Sequence, residues 1–137
     1  MNLIDTQFDL AILVALEESG EPTSKERIIH KTKTFWLRWK KHSQKQEITR
    51  IRQRLSDLTT KRIVLQKNNN GKASYYLNPA YEPNTIIKEY LSELFNHASI
   101  SFWGNKILFD NNEINDHSLI FTLQEIRGII LKYGISE

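Results

Sequence analysis

Apolar residues recur along this chain at two spacings, one helical and one alternating, and the changes between them mark out its elements. Phe8, Ile12, Leu13 and Leu16, with Ala11 and Ala15 between them, keep the steps of an amphipathic helix. Asp5 or Thr6 can cap its start. Gly20 suits the left-handed position that ends it, and Pro22 then turns the chain. Thr23 and Glu26 have capping-box spacing, in which a hydroxyl and a carboxylate each take a backbone amide at a helix start. A second helix follows, with Ile28 and Ile29 facing inward. Two ends are open to it. Thr32, Phe35, Trp36 and Trp39 carry the rhythm to about Lys40, or the helix stops near Lys33 and residues 34–42 form a separate insertion.

Ser43 and Gln46 repeat the capping-box spacing and open a third helix that runs to about Lys61. Ile48, Ile51, Leu55 and Leu58 are its apolar stripe. The opposite face then carries Gln46, Thr49, Arg50 and Gln53, flanked by Arg52 and Arg54. Residues 63–67 and 73–77 are β-prone runs around an Asn/Gly-rich tip, which predicts a hairpin. Asn78 and Pro79 close it. Ile86, Ile87, Tyr90, Leu91, Leu94 and Phe95 give a fourth helix a wide apolar face, with Asn84 or Thr85 as its cap. Gly104 and Asn105 fit a two-residue hairpin turn. Thr122 and Glu125 read as a further capping box, with Phe121 reaching Ile126 as a hydrophobic staple, for a last helix ending near Tyr133. The expected fold class is mainly α with a small β component.

At 137 residues the chain fits one domain, or a small domain with an added dimerisation element. Its 39% hydrophobic and 26% charged residues are ordinary for a soluble globular protein. The absence of cysteine excludes disulfides, Cys-type zinc sites and thiol nucleophiles. Residues 10–16 are the longest apolar run, too short to cross a bilayer, and no basic stretch precedes them. No membrane association and a cytoplasmic location are the expectation.

Charge changes the picture more. Residues 31–72 hold 13 Lys and Arg against Glu47 and Asp57, a local balance of +11. Residues 1–30 and residues 73–137 each carry −4, so the chain's +3 hides a polarised molecule. Clustered Lys and Arg attract phosphate backbones, because each neutralised phosphate releases condensed counterions. A solvated basic face is the plainer alternative. Within the strip, Phe35, Trp36 and Trp39 alternate with Arg38, Lys40 and Lys41; packing of the insertion onto the core is favoured for these aromatics over base stacking.

Helix, helix, helix and hairpin, in that order, resemble the winged helix-turn-helix superfamily over roughly residues 5–79. Arg54-Leu-Ser-Asp-Leu58, Lys61-Arg-Ile-Val-Leu65, the tip 68–72 and Tyr75-Tyr-Leu77 carry the resemblance. They look like that family's recognition-helix end, first wing strand, wing tip and second wing strand. One departure is the spacing of about ten residues between the second and third helices, if the former ends at Lys33. The resemblance implies a winged helix-turn-helix domain over 1–79. The apolar elements of an α+β extension over 80–137 need a surface to bury against: either they pack on their own domain or they build a two-fold dimer interface, and the resemblance implies the dimerisation element.

The expected function follows from charge and resemblance together: a double-stranded-DNA-binding transcriptional regulator acting as a homodimer. Gln46, Thr49, Arg50 and Gln53 are the candidates for base edges in the major groove. Lys40, Lys41, Lys45, Arg54, Lys67 and Lys72 are the candidates for backbone phosphates. Two rivals remain. One is a protein-interaction module whose basic strip meets an acidic partner. The other is a single-strand-binding replication or mobile-element accessory protein. No catalytic residue, metal ligand set or cofactor is expected. His30, His42, His97 and His117 lack ligand spacing, and the five glycines are isolated.

Overall fold

A computed structural model describes residues 3–32, 44–97, 99–103, 106–110 and 120–122, together with 128 and 132. Among these residues the chain is mainly helical with a small antiparallel β component. The order is α1 (Leu3–Ser19), β1 (Thr23–Ser24), α2 (Lys25–Thr32), α3 (Gln44–Thr60), β2 (Val64–Asn69), β3 (Lys72–Leu77), α4 (Pro83–His97), β4 (Ser99–Trp103), β5 (Lys106–Asp110) and β6 (Ile120–Thr122). Two three-stranded sheets run β1-β3-β2 and β4-β5-β6. No helix among the described residues is long and apolar enough to cross a membrane.

The centre of the fold is α1. Phe8 and every residue from Leu10 to Leu16 are buried, so the helix is enclosed on all sides rather than along the four-residue stripe its sequence suggested. It packs against α2, α3, α4 and β3. Ile28 and Ile29 from α2, Ile51, Leu55 and Leu58 from α3, Val64, Tyr75, and Ile86, Ile87 and Leu91 from α4 complete one core. Burying each such Leu, Ile or Val side chain stabilises by about 1.5–3 kcal/mol before the loss of chain entropy. The core therefore continues past residue 79, where the sequence placed a domain boundary, and includes α4.

Several terminations follow expected chemistry. Gly20, at φ 69°, ends α1 and donates its amide to the Leu16 carbonyl. Asn70 and Gly71 both have positive φ (52° and 79°), as a two-residue type I′ turn requires, and set the register Asn69↔Lys72 of the hairpin. At the end of α3 the amides of Arg62 and Ile63 return to the carbonyls of Thr59 and Leu58, with Arg62 at φ 63°. This is a Schellman closure with arginine where glycine is usual.

Two expectations, the start residues of α2 and of α4, are corrected. The cap of α2 is Ser24, whose Oγ accepts the Arg27 amide at 3.3 Å; Thr23 is instead buried in β1, opposite Tyr75. Helix α2 is described through Thr32, whose hydroxyl donates to the Ile29 carbonyl; both expected ends of this helix, near Lys33 and near Lys40, fall outside the described residues. Pro83 rather than Asn84 or Thr85 opens α4, which suits a residue with no amide to satisfy at a first helical position. Phe121 and Thr122 lie in β6, paired with Ile107 and Lys106; the helix start expected just after them falls outside the described residues. Gly128 and Lys132 are helical; the rest of the expected last helix, and the insertion 34–42, lie outside the described residues.

Candidate nucleic-acid interface

Helix α3 divides its polar residues between two faces. Successive residues advance by about 100° around a helix. Thr49, Arg52, Gln53, Ser56 and Thr60 therefore share one side, opposite the buried Ile51, Leu55 and Leu58. All five are exposed. No carboxylate stands on this stripe. Arg50, Arg54, Asp57 and Lys61 occupy the neighbouring flank, which turns toward α1.

That flank is an ion-pair ladder between helices. Arg50 Nη1 lies 2.9 Å from Asp5 Oδ1, and the Arg50 guanidinium stands 6.0 Å from the centre of the Phe8 ring. One turn on, Arg54 forks onto Asp9, with Nε donating to Oδ1 at 2.8 Å and Nη2 to Oδ2 at 2.9 Å. Arg54 also reaches Asp57 at 2.8 Å and Asp5 at 3.5 Å. Lys61 meets Asp57 at 3.1 Å. Asp5 and Asp9 are four apart on α1, as are Arg50 and Arg54 on α3, so the two rungs match in spacing.

Burial decides the electrostatics of this ladder. The Asp9 side chain is only 5% exposed, and loss of water raises its carboxyl above the usual range, although Arg54 opposes the shift. Arg54 is held firmly charged by its hydrogen bond to Asp9, against the cost of its own burial. The half-buried Asp57 is lowered, first by its hydrogen bond to Lys61 and further by Arg54. Tyr90 borders the same cleft of about 570 Å³ and is pushed up to about 12, mainly by burial and then by Asp9.

The hairpin supplies the second part of the interface. Lys67 and Lys72 are exposed on β2 and β3, and the tip 68–71 between them is exposed throughout. Arg27, Arg52, Arg62, Lys67 and Lys72 make no ion pair with any described residue.

The expected site residues are thus sorted. Thr49 and Gln53 stand on the exposed stripe, and Lys67 and Lys72 on the hairpin. Arg50 and Arg54 do not join them: their guanidiniums are engaged with the carboxylates of α1. That engagement corrects the expectation that Arg54 is free to grip phosphate. Lys45 and Gln46 lie in the first turn of α3, but their side chains are outside the described residues, as are Lys40 and Lys41 altogether. Sequence reading placed Arg52 only at the margin of the reading face and overlooked Ser56. A wheel centred on the buried Ile51, Leu55 and Leu58 would have found both. No family model, curated protein or solved structure matches the chain.

Proposed function

We propose that this protein binds double-stranded DNA as a transcriptional regulator of winged helix-turn-helix type. The observation that carries the reading is the composition of the exposed α3 stripe. Thr49, Arg52, Gln53 and Ser56 offer a methyl group, a guanidinium, an amide and a hydroxyl, with no carboxylate to repel phosphate. Such groups suit thymine methyls, guanine O6/N7 and adenine N6/N7 in a major groove. In this reading the β2–β3 hairpin beside α3 serves as the wing, with Lys67 and Lys72 toward the backbone. Arg50 and Arg54 have a different role in this reading: they fix α3 against α1 so that the stripe is held outward. The reading includes a homodimer, with its two-fold contact built from the segment after residue 79, and a cytoplasmic location.

Selection from a random duplex pool, followed by binding assays with Arg52→Ala and Gln53→Ala, tests the assignment. Each good bidentate base contact contributes about 1–3 kcal/mol of discrimination, so each variant is expected to lose about fivefold to a hundredfold of its preference at one position. No enriched sequence, or an unchanged preference in both variants, would overturn it.

A further inference from the structure

The outward face of the β1-β3-β2 sheet is polar over its half nearest the hairpin tip. Residues opposite one another on an antiparallel ladder share a face, and faces alternate along each strand. Thr23↔Tyr75 and Val64↔Leu77 are core rungs, with Thr23, Tyr75 and Val64 buried. The alternate rungs are Leu65↔Tyr76, Ser24↔Ser74, Lys67↔Ser74 and Asn69↔Lys72, apolar at the base of the hairpin and polar from Ser74 to the tip. Ser24, Ser74 and Lys67 therefore form one row across three strands, and Asn69 and Lys72 the next row toward the tip. Beside these rows, Arg27 in the first turn of α2 helps to line an open cleft of about 520 Å³, together with Ser24, Asn69, Asn70, Lys72 and Ser74. Glu21 is the only carboxylate among the described residues of that lining.

We propose that this sheet face and Arg27 grip the sugar–phosphate backbone of the bound duplex, so that α2 and the hairpin hold the DNA together. The inference rests on the DNA reading above and adds residues to it. Arg27 belongs to a stretch of net negative charge, and Ser24 and Ser74 carry no charge, so nothing in sequence marks them. Their chemistry favours backbone over bases. The cleft presents a guanidinium, an ammonium, hydroxyls and amides, all suited to phosphate oxygens. The described lining of the cleft holds no aromatic ring, its apolar part being Pro22 and Ala73; Tyr76 lies on the same sheet face one row farther from the tip.

The test is fluorescence anisotropy on one labelled duplex at several salt concentrations, with the full chain, Arg27→Ala, Lys72→Ala, the double variant and Lys88→Ala. Lys88 is exposed on α4, does not line this cleft, and serves as the control. Each single substitution at the face is expected to reduce the log–log salt slope by about 0.9 and the affinity near 0.1 M salt by about three- to tenfold. The double variant is expected to lose about twice the slope. Thermal unfolding of the same samples separates lost contacts from lost structure. If Arg27→Ala and Lys72→Ala bind like Lys88→Ala while the unaltered chain keeps a steep slope, the proposed grip is wrong and the DNA reading stands. If the unaltered chain shows no salt-dependent duplex binding, both are overturned.

Discussion

Replacing Arg54 by methionine removes the one guanidinium that neutralises Asp9 while keeping most of the side chain's bulk. The Arg54 side chain is 16% exposed and that of Asp9 5%, so the remaining carboxylate cannot turn to water without disturbing the core around α1. Breaking a buried pair from one side costs about 3–5 kcal/mol, because the other charge is left uncompensated. With an m-value of about 2 kcal/mol per molar urea, the midpoint falls by about 2 M. The pH dependence identifies the cause. Burial already raises the Asp9 pKa in the fold, and without Arg54 that effect is less opposed. A carboxyl raised in the folded state contributes stability that is complete below its unfolded value, about 3.9, and is lost as pH rises through the folded value. The deficit of Arg54→Met is therefore largest near pH 7 and shrinks toward pH 5. Urea unfolding followed by far-ultraviolet circular dichroism at both pH values measures it. A deficit below about 1 kcal/mol at pH 7, or one that does not change with pH, would refute the assignment of Asp9 as a buried charge held by Arg54.

Other substitutions test separate parts of the structure. Asp9→Leu combined with Arg54→Met is expected to recover much of the stability lost in Arg54→Met alone, since well-packed apolar groups replace buried pairs at little cost; a double variant as unstable as the single one would contradict this in the same urea assay. Arg62→Gly relieves a left-handed residue at the end of α3 and is expected to raise stability by about 1 kcal/mol. An unchanged or lower melting temperature would count against that closure. Gly71→Val puts a β-branched side chain at φ 79° in the hairpin turn and is expected to destabilise by about 1–2 kcal/mol in thermal unfolding, whereas no loss would mean that the turn is not of type I′.

The elements were legible in the sequence wherever local chemistry fixed them. Gly20 and Asn70-Gly71 encode their own positive φ angles, and the stripe Ile51, Leu55, Leu58 gave the buried side of α3. What stayed hidden depended on contacts between distant segments. Arg50 and Arg54 look like free cations within a basic strip, and only the approach of α1, 45 residues earlier, brings Asp5 and Asp9 to them. The shared four-residue spacing of the two acids and the two arginines was visible, but spacing alone does not say which helix faces pair. Ser24 rather than Thr23 caps α2 because pairing with Tyr75 buries Thr23, whose hydroxyl donates to the Glu21 carbonyl, a tertiary demand absent from the local pattern.

The most direct test of the central claim is the salt dependence of duplex binding by the unaltered chain, read by anisotropy against random duplex and single strand. Six or so phosphate contacts would give a log–log slope of about −5 on duplex, with weaker binding to single strand. That is the expected result for an exposed α3 stripe acting together with a basic hairpin. A flat or negligible duplex response would contradict it and assign the unpaired cations to an acidic protein partner instead.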